Sequence, residues 1–145
     1  MRADTYQVNT RVLNLNWTTP ISMMEIDTVR RDLYIASPSF GVARVSINLM
    51  QVEGQWIPGP NLRVVAMALT LPGNDGDGFL YAFLMNDTDS TALAIKLLLP
   101  SLSIAGTIQL PTIYSSPNST DRAVAVVNTQ LGKAFFSVRD QIAQV

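Results

Sequence analysis

Glu25 and Asp27 stand two residues apart in "MMEID". On a strand, that spacing puts both carboxylates on one side, where a pair could share acid and base work. The plainer reading is a solvated strand edge beside Arg30 and Arg31. A second cluster of oxygens lies in "GNDGDGF": Asn74, Asp75 and Asp77 offer hard ligands on a flexible backbone, as calcium requires. An EF-type loop would need a third acid and a distal Glu, which this stretch lacks, and Asn-Asp-Gly strings are ordinary turn formers. The sequence has no histidine and no cysteine. Ser-His-Asp, Cys-His and His- or Cys-ligated metal chemistry are therefore excluded. Neither lysine, Lys96 nor Lys133, stands in a Ser-x-x-Lys setting. The expectation is a protein that is no enzyme and carries no cofactor.

Charge narrows the class further. Charged residues make up 14% of the 145 and the net charge is −1, against roughly 25% charged residues in an ordinary soluble domain. Nucleic-acid binding needs clustered cations, and the one adjacent basic pair is Arg30-Arg31. The mean hydropathy is slightly positive, and arginine outnumbers lysine eight to two. Arginine is the cation that interfaces tolerate. Together these predict a surface partly covered by other subunits, in a homo-oligomer of trimer size or larger. Arg63, Val65 and Met67, on a stretch (62–71) apolar on both faces, are the interface candidates, with Trp56 and Arg44. The N-terminus has no apolar h-region. The most apolar stretch, "ALAIKLLLPSLSIAG", is broken by Lys96 and Pro100 and is too short to span a bilayer. No membrane contact is expected, and assembly in cytosol is.

These residues must be positioned by strands. "VLNLNW" alternates, with Leu13, Leu15 and Trp17 on one face. "VARVSINL" alternates more clearly, with Ala43, Val45, Ile47 and Leu49 inward and Arg44, Ser46 and Asn48 outward. Further strands are predicted at 21–26, 62–71, 79–85, 92–99, 107–114, 122–127 and 133–138. Turn clusters such as "SPSFG", "PGP", "PGNDGDG", "NDTDS" and "NTQLG" separate them. The tail "SVRDQIAQV" is read as a short helix or an arm (139–145), and residues 1–8 as a possible N-terminal arm. Nine or ten short strands predict one all-β domain over 1–145: a β-sandwich, jelly roll or closed barrel.

One hairpin looks used twice. Shifted by 91 residues, "RDLYIASPSFGVARVSI" falls on "RAVAVVNTQLGKAFFSV" without a gap. The shift pairs Leu33 and Ile35 with Val124 and Val126, and Val45 and Ile47 with Phe136 and Val138. Each copy has a five-residue loop, 37–41 or 128–132, closed by glycine. A third copy at "FLYAFLMNDTDSTALAIKL" would suggest the blades of a β-propeller. The loop spacings of 49 and 42 are irregular, however, and Lys96 falls where Ile47 and Val138 sit. The propeller is therefore the alternative architecture.

The same hairpins, followed by "GQWIPGPNLRV", resemble small β-structured proteins of tailed-phage particles, the capsid decoration or cement type. The resemblance covers residues 30–65, with an echo at 122–138. It implies a non-enzymatic virion subunit that oligomerises and clamps a capsid or other particle protein. A carbohydrate-binding, lectin-like module is the alternative from another class. Trp56 beside Gln55 and Tyr114 beside "SSPNS" could stack on a sugar ring there.

Overall fold

The structure, a computed structural model, describes residues 10–70, 78–114, 123–128, 130–138 and 141–145. Its strands are β1 (Met23–Asp27), β2 (Asp32–Ser37), β3 (Gly41–Ser46), β4 (Gln51–Trp56), β5 (Leu62–Leu69), β6 (Phe79–Asn86), β7 (Thr91–Leu98), β8 (Ser103–Tyr114), β9 (Ala123–Asn128), β10 (Lys133–Val138) and β11 (Gln141–Gln144). They form three separate antiparallel sheets: β1-β2-β3-β4, β5-β6-β7-β8 and β9-β10-β11. Each sheet is a meander in which every strand pairs with its sequence neighbour. Among the described residues, no sheet closes on itself into a barrel, and no helix is long and apolar enough to cross a membrane.

The three sheets stack in chain order, and side-chain period explains why. Along β6, Leu80, Ala82 and Leu84 point toward the first sheet. Tyr81, Phe83 and Met85 point toward the third. In β7, Leu93, Ile95 and Leu97 join the first set, while Ala92 and Ala94 join the second. A strand buried on both faces reads as a continuous apolar run, and "FLYAFLM" and "ALAIKLL" are such runs. Phe83 also stacks on Phe136 of the third sheet, with ring centroids 4.7 Å apart. A bulge in β5 lets Val64 and Met67, three residues apart, face the same side. The residue it inserts is Val65.

The backbones of the sheets approach each other most at their first strands, β1 against β5 and β5 against β9, with a lesser approach of β8 to β11. The outer face of the first sheet carries Leu33, Ile35, Ala43 and Val45, covered by Leu13, Leu15 and Trp17. Trp17 also stacks on Phe40.

One turn recurs. Four residues separate the strand ends Asp27 and Asp32, Ser46 and Gln51, Asn86 and Thr91, Leu98 and Ser103, and Asn128 and Lys133. In all five, the last of the four has positive φ: Arg31, Met50, Ser90, Leu102 and Gly132. The residue before the turn caps it in four cases. Asp27 Oδ1 accepts from the amides of Val29 and Arg30, Ser46 Oγ from Leu49, Asn86 Oδ1 from Thr88, and Asn128 Oδ1 from Leu131. Asp, Asn and Ser favour such turns because their side chains satisfy amides that the ladder has released.

Several expectations need correction. Residues 12–17 form no strand; their alternation is real, but it serves packing onto the first sheet. Strand β3 stops at Ser46, because residues 47–50 are a turn, which leaves Leu49 exposed instead of inward. The expected strands do not include β4, since "QVEGQW" is polar and exposed along most of its length. The tail is no helix: Gln141–Gln144 pairs with β10 and turns Ala143 toward the core. The N-terminal arm, residues 1–8, lies outside the described residues.

The duplicated hairpin fails in its register. In the first, Ser37 pairs with Gly41 across three residues; in the second, Asn128 pairs with Lys133 across four. A slip of one residue flips every side chain. Val45 thus pairs with Leu33 and shares its face under the N-terminal segment, whereas Phe136 pairs with Ala125 and faces the second sheet, leaving Val124 and Val126 on the other side.

Candidate functional site

Two polar regions stand out, at opposite ends of the strands. The first is a cleft of about 350 Å³ lined by Pro38 and Ser39 from the β2–β3 turn, residues 58–63 from the β4–β5 crossing, and Asp87 from the β6–β7 turn. Prolines 58 and 60 keep this crossing out of any ladder. Asn61 at positive φ turns the chain into β5, and its carbonyl accepts from the Asp87 amide at 2.8 Å. The Val64 amide donates to the Pro38 carbonyl at 3.3 Å, tying the first sheet's turn to the second sheet. Arg63 Nε meets Asp87 Oδ1 at 3.2 Å, with both side chains partly exposed. An exposed pair of this kind contributes little to stability. The guanidinium and the carboxylate together can offer donors and acceptors to a small polar group in the cleft.

The second region lies between the first two sheets. Asp27 and Asp32 are directly paired across β1 and β2, and both are buried. Like charges in that position repel, and each is answered by its own arginine. Arg30 Nη1 meets Asp27 Oδ2 at 2.9 Å, and Arg44 Nη1 meets Asp32 Oδ2 at 3.3 Å. Two pairs further along, on the same face, Glu25 stands opposite Tyr34, and Tyr34 opposite Arg44. Burial raises the Glu25 carboxyl above its ordinary value. The Tyr34 phenol is pushed up to about 12, first by burial and then by the charges of Asp32 and Asp27, against the lowering effect of Arg44 and Arg30. Among the described residues, Tyr34 Oη and Arg44 Nε have no hydrogen-bond partner.

Glu25 and Asp27 do share a side, as their spacing predicts. The solvated edge expected for them is corrected, because Asp27 is fully buried and committed to two turn amides and Arg30. Such a carboxylate holds a turn and has no free oxygen edge for a substrate proton.

The interface candidates do not form one surface. Met67 is 4% exposed and belongs to the core between the first two sheets, so the interface role assigned to it is corrected. Val65 packs, half-buried, toward the third sheet, and Trp56 packs, half-buried, toward the second. Arg44 is tied to Asp32, and Arg63 borders the cleft. The calcium candidates Asn74, Asp75 and Asp77 lie outside the described residues, as does the Tyr114 side chain. Among the described residues, no group of three or more acids could hold a metal ion.

Sequence reasoning passes over Asp32, Tyr34 and Asp87. The signal for the cleft is in the proline clusters "SPS" and "IPGP", which mark segments that cannot extend a ladder: the first turns between β2 and β3, and the second crosses from the first sheet to the second. No protein-family model matches the chain, and no curated protein or solved structure proves similar to it.

Proposed function

We propose that this chain is a non-enzymatic assembly and binding module built from propeller-type blades. One observation carries the reading: three successive meanders stack face to face, with their first strands side by side. Sheets that converge at their first strands and splay toward their last are wedges, the shape that packs radially around a channel. A two-layer sandwich or jelly roll instead distributes its strands between two facing sheets, which three meanders in series do not do. In a module of this type the turns at the strand ends form the binding rim, and the cleft beside Arg63 and Asp87 is the candidate pocket on it. The assembly-subunit class expected from low charge is kept within this reading. Its assignment to phage particles rests on the pattern at 30–65 alone.

The chain has no cysteine, so introduced pairs report cleanly. Spin labels on β1, β5 and β9 should give shorter sheet-to-sheet distances than labels on β4, β8 and β11. Equal spacings at the first-strand and last-strand edges of the sheets would replace the wedge with a flat stack and overturn the proposal.

A further inference from the structure

Each first strand in the stack uses its two faces differently. The inward face of β1, with Met23, packs toward Val64 and Met67 of β5. The opposite face of β5, with Ala66 and Ala68, packs toward Ala123, Ala125 and Val127 of β9. The same kind of joint thus occurs twice in succession. Two first-strand faces are left over, one at each end of the stack. The outward face of β9 carries Val124 and Val126; that of β1 carries Met24 and Ile26. All four are more than half exposed. Ile142, aligned with Val124 through Ser137, extends the β9 face across the third sheet and is also exposed.

Exposed aliphatic residues aligned on a sheet face mark a contact surface. The two internal joints indicate what such a first-strand face meets in this fold: the facing strand of the next sheet. None of the five side chains is charged, and a net charge of −1 gives two copies little mutual repulsion. The N-terminal segment covers β2 and β3 of the first sheet, through Leu33, Ile35, Ala43 and Val45, but leaves Met24 and Ile26 open.

We infer that the chain joins a second copy head to tail, with Val124 and Val126 of β9 packing on Met24 and Ile26 of the partner's β1. The contact is heterologous, so repeating it yields a ring if the rotation closes and a filament if it does not. It continues the stack and therefore rests on the wedge reading above. That reading is tested by distances within one chain, and this one by mass, so either can fail alone.

The test uses sedimentation equilibrium from micromolar to millimolar concentration. The unaltered chain should show twice its 15.8 kDa mass or more. Val126→Arg and Ile26→Arg should each give a monomer with an unchanged thermal unfolding curve, since both sites are exposed. Mixed, the two variants should recover a one-to-one dimer, because each retains the face the other has lost. A monomeric unaltered chain overturns the inference. So does a variant pair that stays monomeric when mixed, or an assembly that survives Ile26→Arg, which would join two β9 faces.

Discussion

The β2–β3 and β9–β10 hairpins are built from strands of six residues each, and both turn on a glycine with positive φ, Gly41 or Gly132. Their surroundings differ. The first joins the second and third strands of its sheet, and both of its faces are covered. The second joins the first and second strands of its sheet; one face is covered by the second sheet, while Val124 and Val126 remain exposed on the other. A hairpin's place in its sheet, and not its local composition, decides which of its residues become core. The single extra turn residue in the second hairpin moves β10 one step against β9, so that Phe136 shares a face with Ala125 and not with Val124.

Phe136 and Val45 are the sharpest place to break this comparison. The 91-residue correspondence makes them equivalent; in the structure Val45 is covered by the N-terminal segment and Phe136 by the second sheet. Phe136→Ala should cost about 3–5 kcal/mol, as expected for a fully buried aromatic, measured by urea denaturation. Val45→Ala should cost about 2 kcal/mol. Combined with Phe83→Ala, the Phe136 change should be non-additive, because the two rings stack and contacting residues couple. The Val45 change should add to Phe83→Ala within about 0.5 kcal/mol. Coupling of Val45 to Phe83 instead would restore the equivalence and overturn the register.

The two glycines come next in size. An added Cβ at Gly41 would clash with the carbonyl oxygen of Trp56, which ends β4, and sit 2.7 Å from Cδ of Pro58, which opens the crossing that leads to the cleft. At Gly132 nothing lies within 4 Å. Gly41→Ala should therefore cost at least ~2 kcal/mol from clash and strained φ together, and Gly132→Ala about 1 kcal/mol from φ alone. Similar losses at the two sites would mean that the crossing does not lie against the β2–β3 turn.

Much of this is legible in the sequence, for reasons that also mark where reading stops. The runs 62–71, 79–85 and 92–99 stand out because strands buried on both faces are apolar throughout, and they supply three of the four strands of the central sheet. The alternation at Ala43 and Val45 is likewise real. What period-2 patterns lack is any statement of which sheet covers a face, so Leu13, Leu15 and Trp17 read as a strand while acting as a cover. Polar β4 carries no such pattern. The blade-like stack ranks second in the sequence because the hairpin spacings of 49 and 42 are irregular and Lys96 falls where Ile47 and Val138 sit. The 91-residue shift also joins a second-to-third-strand hairpin to a first-to-second-strand one, so it does not align sheet with sheet. At the site, spacing correctly places Glu25 and Asp27 on one side, but the partners that neutralise Asp27 and Asp32 arrive from a turn and a neighbouring strand. Spacing along one strand cannot supply them.

The smallest expected effect concerns a residue of the first hairpin that has no polar counterpart in the second, where the 91-residue shift puts Ala125. Tyr34 is fully buried, with a hydroxyl that lacks a partner among the described residues. A buried hydroxyl without a hydrogen bond is a cost and not a gain, so at neutral pH Tyr34→Phe should change stability by less than about 1 kcal/mol, in the stabilising direction if either. The difference grows in alkali. The folded phenol keeps its proton until about pH 12, whereas an unfolded tyrosine releases it near pH 10. Between those values the unfolded chain binds fewer protons than the folded one, so stability falls as pH rises. The stabilisation is present in full below pH ~10, and up to ~2 kcal/mol should be lost as pH climbs through the folded value. Tyr34→Phe should remove that part of the slope, read as urea midpoints of the two proteins from pH 8 to pH 11 (~0.5-unit steps suffice for a transition this broad). Parallel curves for the two proteins would mean that the phenol titrates as an exposed one does, and that the face of the first hairpin toward the second sheet is open to water, as the outer face of the second hairpin is.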